Sequence, residues 1–174
     1  KQGDVEKYCL LPGDPERVEL IAESWTDKRF VANYREHRTF SGHMGQAGIT
    51  CCPPGAGGGP PSSAFEALAP LGADTFVRVG TTGAIQKDIP CGELIISAGA
   101  VRHDGTSNLY VDQSYPAFAN YEVTAALVEA AERLEMPYHV GVTCSTGNWY
   151  CGQGRPGVKG YTQSLFEHTV ADSQ

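Results

Sequence analysis
The residues of this chain best placed to do chemistry are arginines beside glycine loops at the ends of apolar runs: Arg17 after LPGDPE, Arg78 within TFVRVGTTGAIQ, and Arg155 within STGNWYCGQGRPG. A guanidinium is costly to strip of water, and its fork of donors calls for an anion. In the 75–86 stretch, Gly80 and Gly83 let backbone N–H groups approach a ligand while Thr81 and Thr82 add hydroxyl donors, a set that suits an oxyanion such as phosphate. The same stretch also fits a strand-end arginine paired with a nearby carboxylate across an ordinary glycine turn. Near Gly13, a strand turning straight into a helix leaves free N–H groups and a positive dipole end, with Arg17 one turn in. A plain helix start carrying a surface arginine reads equally well. The third loop differs in kind, because Trp149, Tyr150, Gln153 and Arg155 combine aromatic faces with planar hydrogen-bonding groups. Such a set is either a platform for a flat heterocycle or loop packing.

Three apolar strands have to carry these loops: residues 8–11, a short buried strand around Phe76, Val77 and Val79, and residues 138–144. Asp14 is the expected N-cap of the first helix, with Pro15 at its first position, where a missing N–H costs nothing. RTFSGHM and GITCC, separated by Gly45 and Gln46, predict a hairpin, with Arg35 and Arg38 as solvated charges in or before its first strand. PPGAGGGPPSSAFEALAPLG predicts a turn and a short helix capped by Ser62 or Ser63, shortened by Pro70 and ended by Gly72. An interdomain linker is the rival reading there, disfavoured because the flanking segments are short. Residues 93–102 predict a strand and 104–116 a polar, turn-rich segment. Val123, Ala126, Leu127, Ala130, Ala131 and Leu134 predict an amphipathic helix over 121–136 that Pro137 stops. In open α/β sheets, ligands bind beyond the carboxyl ends of strands. Two oxyanion loops and one loop for a flat ring therefore point to a nucleotide, or to a nucleoside with a separate phosphate. Neither GxxxxGK[ST] nor GxGxxG occurs, which argues against a P-loop or a dinucleotide fold.

Composition narrows the partners. A chain of 174 residues is long enough for one domain with a substantial core. Its formal net charge of -7 disfavours a nucleic-acid or anionic-membrane partner, so any anion site must be local. The apolar runs are too short to span a bilayer, and no basic-then-apolar leader opens the sequence, so an intracellular, cytoplasmic protein is expected. Cys9, Cys51, Cys52, Cys91, Cys144 and Cys151 form no CxxC pair, which predicts reduced, mainly buried thiols and no metal site.

LPGDPERVELIAE, RTF, TFVRVGTTGAIQ and HVGVTCST followed by WYCGQGRP, in this order and spacing, resemble the nucleoside phosphorylases of the uridine phosphorylase type over nearly the whole chain. The resemblance implies an α/β, three-layer sandwich around a mixed, distorted β-sheet, as a single domain over residues 1–174. It implies a homo-oligomer based on dimers, up to a hexamer, and a pentosyltransferase that cleaves uridine with inorganic phosphate to uracil and ribose 1-phosphate without an organic cofactor. Carried over by residue, Gly13, Arg17, Arg78 and Thr81 would hold phosphate, with Arg35 reaching into a neighbouring subunit. Trp149, Gln153 and Arg155 would bind the base. Arg78 and Arg155 would carry the catalytic electrostatics, and none of His37, His43, His103, His139 and His168 is assigned a catalytic role.

The departures from the family pattern matter too. The family continues with a Glu-Met-Glu segment that grips the ribose, beyond the point where this sequence reaches Gln174, and it lends a histidine from a segment before Lys1. The final TQSLFEHTVADSQ resembles a helix with Leu165, Phe166 and Val170 on one side. Pro53 and Pro54 replace hydroxyl residues at the end of an inner strand. Pro60 replaces a serine that in some relatives helps hold a monovalent cation, and Glu36 alone makes a poor cation site. Two alternatives stand beside uridine phosphorylase: a non-catalytic nucleoside- or phosphate-binding or storage protein of the same fold, and a phosphorylase of another nucleoside.

Overall fold
The computed structural model describes residues 1–161, and the helix expected over 162–174 lies outside them. The chain forms two compact units, one over residues 1–81 and one from Thr82 onward.

In the first unit, β1 (Tyr8–Pro12) runs into a short α1 (Arg17–Ile21). Next come β2 (Thr26–Tyr34), β3 (His37–Met44) and β4 (Ala47–Cys51), a meander with tight turns. A helix, α2 (Gly59–Leu68), then leads back to β5 (Thr75–Val79). The strands form one mixed sheet in the order β2-β3-β4-β1-β5, with β1 parallel to both β4 and β5. Three parallel strands therefore release the chain at the same edge of the sheet. All three of the following loops contain glycine: Gly55 to Gly58 after β4, Gly13 after β1, and Gly80 and Gly83 after β5.

Side-chain alternation along β1 splits the core into two halves. Cys9 and Leu11 pack with Cys52, Ala64 and Leu68 on the α2 face, while Leu10 packs with Val18, Ala22, Trp25 and Phe40 on the α1 face. A helix thus covers each side of the sheet, in agreement with the layered α/β expectation. Buried hydroxyls between the strands are paired, Ser41 with Thr50 at 2.8 Å and Ser41 with the Asp4 carbonyl at 2.7 Å, as buried polar groups must be.

Several local expectations are corrected. Asp14 does not cap α1, which starts only at Arg17 behind Glu16. Its Oδ1 instead accepts the Glu16 N–H at 2.9 Å, closing a turn that delays the helix. Ser62 and Ser63 are not caps either. Pro60 and Pro61 occupy the first turn of α2, where they need no N–H partner, so the helix begins at Gly59 and both hydroxyls fold back to the Gly59 carbonyl. Pro70 and Gly72 act as expected: α2 tightens into a 3₁₀ turn over Ala69–Leu71 and stops at Gly72, with φ 119°. The hairpin turning at Gly45 is present, with β2 as a further strand beside it. Lastly, β5 is not buried. As the outermost strand of its sheet it leaves Arg78 and Val79 exposed.

In the second unit, β6 (Leu94–His103) is central, flanked by a two-residue antiparallel β7 (Ala117–Phe118) and a parallel β8 (Tyr138–Thr146). The crossover to β8 is α3 (Tyr121–Arg133), whose N-cap Asn120 accepts the Val123 N–H at 3.0 Å. None of the six cysteines is in a disulfide: Cys9, Cys51 and Cys52 are buried, Cys144 and Cys151 half-buried, and Cys91 exposed. No helix among the described residues is long and apolar enough to cross a membrane.

Candidate functional site
Parallel pairing of β1 and β5 places Leu11 opposite Arg78, so the two loops that follow these strands lie side by side. The Arg78 side chain folds back over the end of β1. Its Nη1 donates to the Leu11 carbonyl at 2.8 Å, and its guanidinium lies so close to Gly13 that a Cβ there would sit 3.1 Å from Nη2. Glycine at position 13 is needed for that approach, not for an unusual backbone angle.

Among the described residues no carboxylate pairs with Arg78. Desolvation, and then the positive charge of nearby Arg17, push the Arg78 pKa down. Arg17 is half-buried on the first turn of α1, with no hydrogen-bond or ion-pair partner among the described residues. Two adjacent cations thus lie without a counter-charge among the described residues, an arrangement that an anion would relieve. Thr81 stands exposed in the loop leaving β5, its hydroxyl without a partner among the described residues.

Arg35 occupies the turn between β2 and β3, exposed, with its guanidinium 5.4 Å from the centre of the Tyr34 ring. Trp149, Gln153 and Arg155 belong to the second unit, in the loop after β8. There the Tyr150 carbonyl accepts the N–H groups of Gln153 at 3.0 Å and Arg155 at 2.9 Å, making a compact turn. Trp149 and Arg155 are exposed, Gln153 is half-buried, and their side-chain polar groups keep their donors and acceptors free among the described residues. The structure thus brings Gly13, Arg17 and Arg78 together in the first unit. It places Trp149, Gln153 and Arg155 in one loop of the second.

Arg102 shows why a strand-end arginine is an ambiguous sequence signal. It ends an apolar strand much as Arg78 does, yet its donors all go to its own loop: Ser107 Oγ, Asn108 Oδ1 and the carbonyls of Val111, Asp112 and Tyr115. It is a structural clamp with nothing left for a ligand. Among the described residues no three His, Cys, Asp or Glu side chains gather as a metal site. Around Gly55, an added Cβ would lie 3.1 Å from the Pro60 ring and 3.4 Å from the Glu36 carboxylate.

The first unit thus sets two arginines beside Gly13 at the carboxyl ends of parallel strands, and the second unit, described by itself, carries a loop of aromatic and planar polar side chains. The chain matches the Phosphorylase superfamily over residues 7–168 and belongs to it. It is 52% identical over 172 residues to the uridine phosphorylase of Thermococcus kodakarensis, covering 99% of this chain and 62% of that protein. To the uridine phosphorylase of Escherichia coli it is 42% identical over 147 residues, 84% of this chain and 58% of the relative. The guanosine phosphorylase of Halorubrum lacusprofundi is 36% identical over 150 residues, 86% of this chain and 62% of the relative. The chain therefore spans about three fifths of the length of the curated relatives it matches.

Proposed function
We propose that this chain forms the phosphate- and base-binding part of a cytoplasmic uridine phosphorylase, a pentosyltransferase working as a homo-oligomer in pyrimidine salvage. The observation that carries the reading is a pair of adjacent arginines with no carboxylate partner among the described residues, Arg17 and Arg78, with Arg78 folded over Gly13, in a chain 52% identical to a uridine phosphorylase.

In this reading Gly13, Arg17, Arg78 and Thr81 hold inorganic phosphate, joined by Arg35 from a neighbouring subunit. A phosphate oxygen bonds to C1′ of the ribose as the bond from C1′ to N1 of uracil breaks, and that electron pair leaves with the base. Gln153 and Arg155 then face the developing uracil anion while Trp149 stacks on its ring. Fixed donors need no reorganisation as charge moves, so positioning and electrostatics supply the rate. No side-chain nucleophile or organic cofactor takes part.

The test is phosphate-dependent release of uracil from uridine by the full-length protein. Arg78→Ala should lower turnover by roughly 10²–10³-fold, as loss of an oxyanion donor does, chiefly through phosphate. Arg155→Ala should act chiefly through uridine. Phosphate affinity unchanged by Arg78→Ala would refute the site. The 36% identity to a guanosine phosphorylase supports a second reading, cleavage of a purine nucleoside. Faster turnover of guanosine than of uridine would establish it. Tight nucleoside binding with no turnover of either would instead mark a binding protein.

A further inference from the structure
We propose that His37 is a positioning residue, tying the hairpin turn that carries Arg35 to the buried loop at the carboxyl end of β4. This rests on the reading of Arg35 as a phosphate ligand. After β4 the sheet pairing ends with the Cys52 N–H donating to the Leu10 carbonyl at 3.0 Å. Pro53 and Pro54 follow, both fully buried and both without an N–H. A buried carbonyl in such a segment needs a donor from elsewhere. Pro53 receives it from the His37 ring, Nδ1 lying 3.0 Å from the carbonyl oxygen. Since a carbonyl can only accept, the bond fixes the hydrogen on Nδ1.

The turn held in this way is strained. Arg35, a non-glycine residue, has φ 54°, a left-handed conformation that persists only where surrounding contacts over-determine it. Two contacts do so. One is the His37 bond just described, two residues after Arg35. The other is the neighbouring Glu36 side chain, which lies against Gly55 of that same loop, where an added Cβ would sit 3.4 Å from its Oε1. Together they fix the direction in which the exposed Arg35 leaves the sheet, so the His37 bond acts on phosphate through Arg35.

The experiment measures phosphate and uridine KM in the full-length protein for His37→Leu, His37→Asn, Arg35→Ala and the double variant His37→Leu with Arg35→Ala. His37→Leu should raise phosphate KM by about tenfold, the size expected for one lost hydrogen bond, with uridine KM unmoved. His37→Asn, which keeps a donor, should recover most of the loss. With Arg35→Ala already present, His37→Leu should add nothing. A fully additive double variant, or uridine KM rising in parallel with phosphate KM, would overturn the proposal while leaving Arg35 as a ligand. If Arg35→Ala itself leaves phosphate KM unchanged, the assignment of Arg35 fails and takes the proposal with it. Independently of folding of the variants, nitrogen shifts of the native His37 ring should report hydrogen on Nδ1; hydrogen on Nε2 would exclude the clasp.

Discussion
Gly13→Ala separates the site from the stability of the sheet that bears it. An added Cβ would lie 3.1 and 3.3 Å from the two terminal nitrogens of Arg78, close enough to push the guanidinium aside but not to disturb backbone. Those nitrogens are the far end of a flexible side chain, and Gly13 has no positive φ, so stability should hold or rise by about 0.4–1 kcal/mol, as for glycine replaced at a compatible site. Phosphate should suffer more. Displacing Arg78 from its place over Gly13 forfeits a charged hydrogen bond worth about 1.5–3 kcal/mol, equivalent to about 10- to 150-fold in affinity. Titration calorimetry with inorganic phosphate, beside urea unfolding of the same variant, measures both effects. An unchanged phosphate affinity in a normally folded Gly13→Ala variant would show that the anion does not sit against Gly13 and Arg78. The cradle assignment would then be wrong.

Two pH dependences follow from the same structure. Burial, and then the neighbouring Cys52, push the Cys9 thiol up to about 12 from an ordinary 9.0, and burial does the same to Cys51. Thiols whose folded pKa is raised favour folding fully below pH 9 and lose that contribution as the pH climbs towards 12, so urea midpoints should fall across this window. At pH 8 the exposed Cys91 should react with iodoacetamide well before Cys9, Cys51 and Cys52, as mass spectrometry of peptides would reveal. Asp104 behaves in the opposite sense. Partial burial raises its carboxyl, but bonds from the Ser107 hydroxyl and the N–H groups of Ser107 and Thr106 outweigh it, leaving the pKa below the ordinary 3.8. Its contribution is therefore present above pH 3.8 and lost as pH falls through the lowered value. Hydrogen exchange in the 104–116 loop should show protection that weakens in acid in the native protein and is already weak at neutral pH in Asp104→Ala; equal protection in the two at pH 7 would reject this.

Much of the fold was legible along the chain because its signals are local. Apolar runs marked β1, β6 and β8, the spacing of Val123 to Leu134 marked α3, and Gly45 and Gly72 marked chain reversals, each set by nearest neighbours in sequence. The misplaced helix starts at Asp14 and Ser62 have a local cause as well: a side chain able to cap a helix can also close a turn or bond back to a carbonyl inside the helix. The base loop was legible as composition, through Trp149, Gln153 and Arg155.

Residue types are written along the chain: arginines beside glycine, a flat polar loop, a sheet with helices over it. Tertiary structure alone decided which arginine is free. Arg78 and Arg102 both end apolar strands, but parallel pairing lays Arg78 across Leu11 and Gly13 with a second cation alongside. Arg102 is instead wrapped by five acceptors of its own loop. Pro53 and His37, sixteen residues apart, likewise meet only because β3 and β4 pair. A donor's chemistry is written in its side chain; whether that donor is already satisfied depends on which acceptors the folded chain brings within 3 Å or so of it, and that is a property of the sheet order, not of the residue.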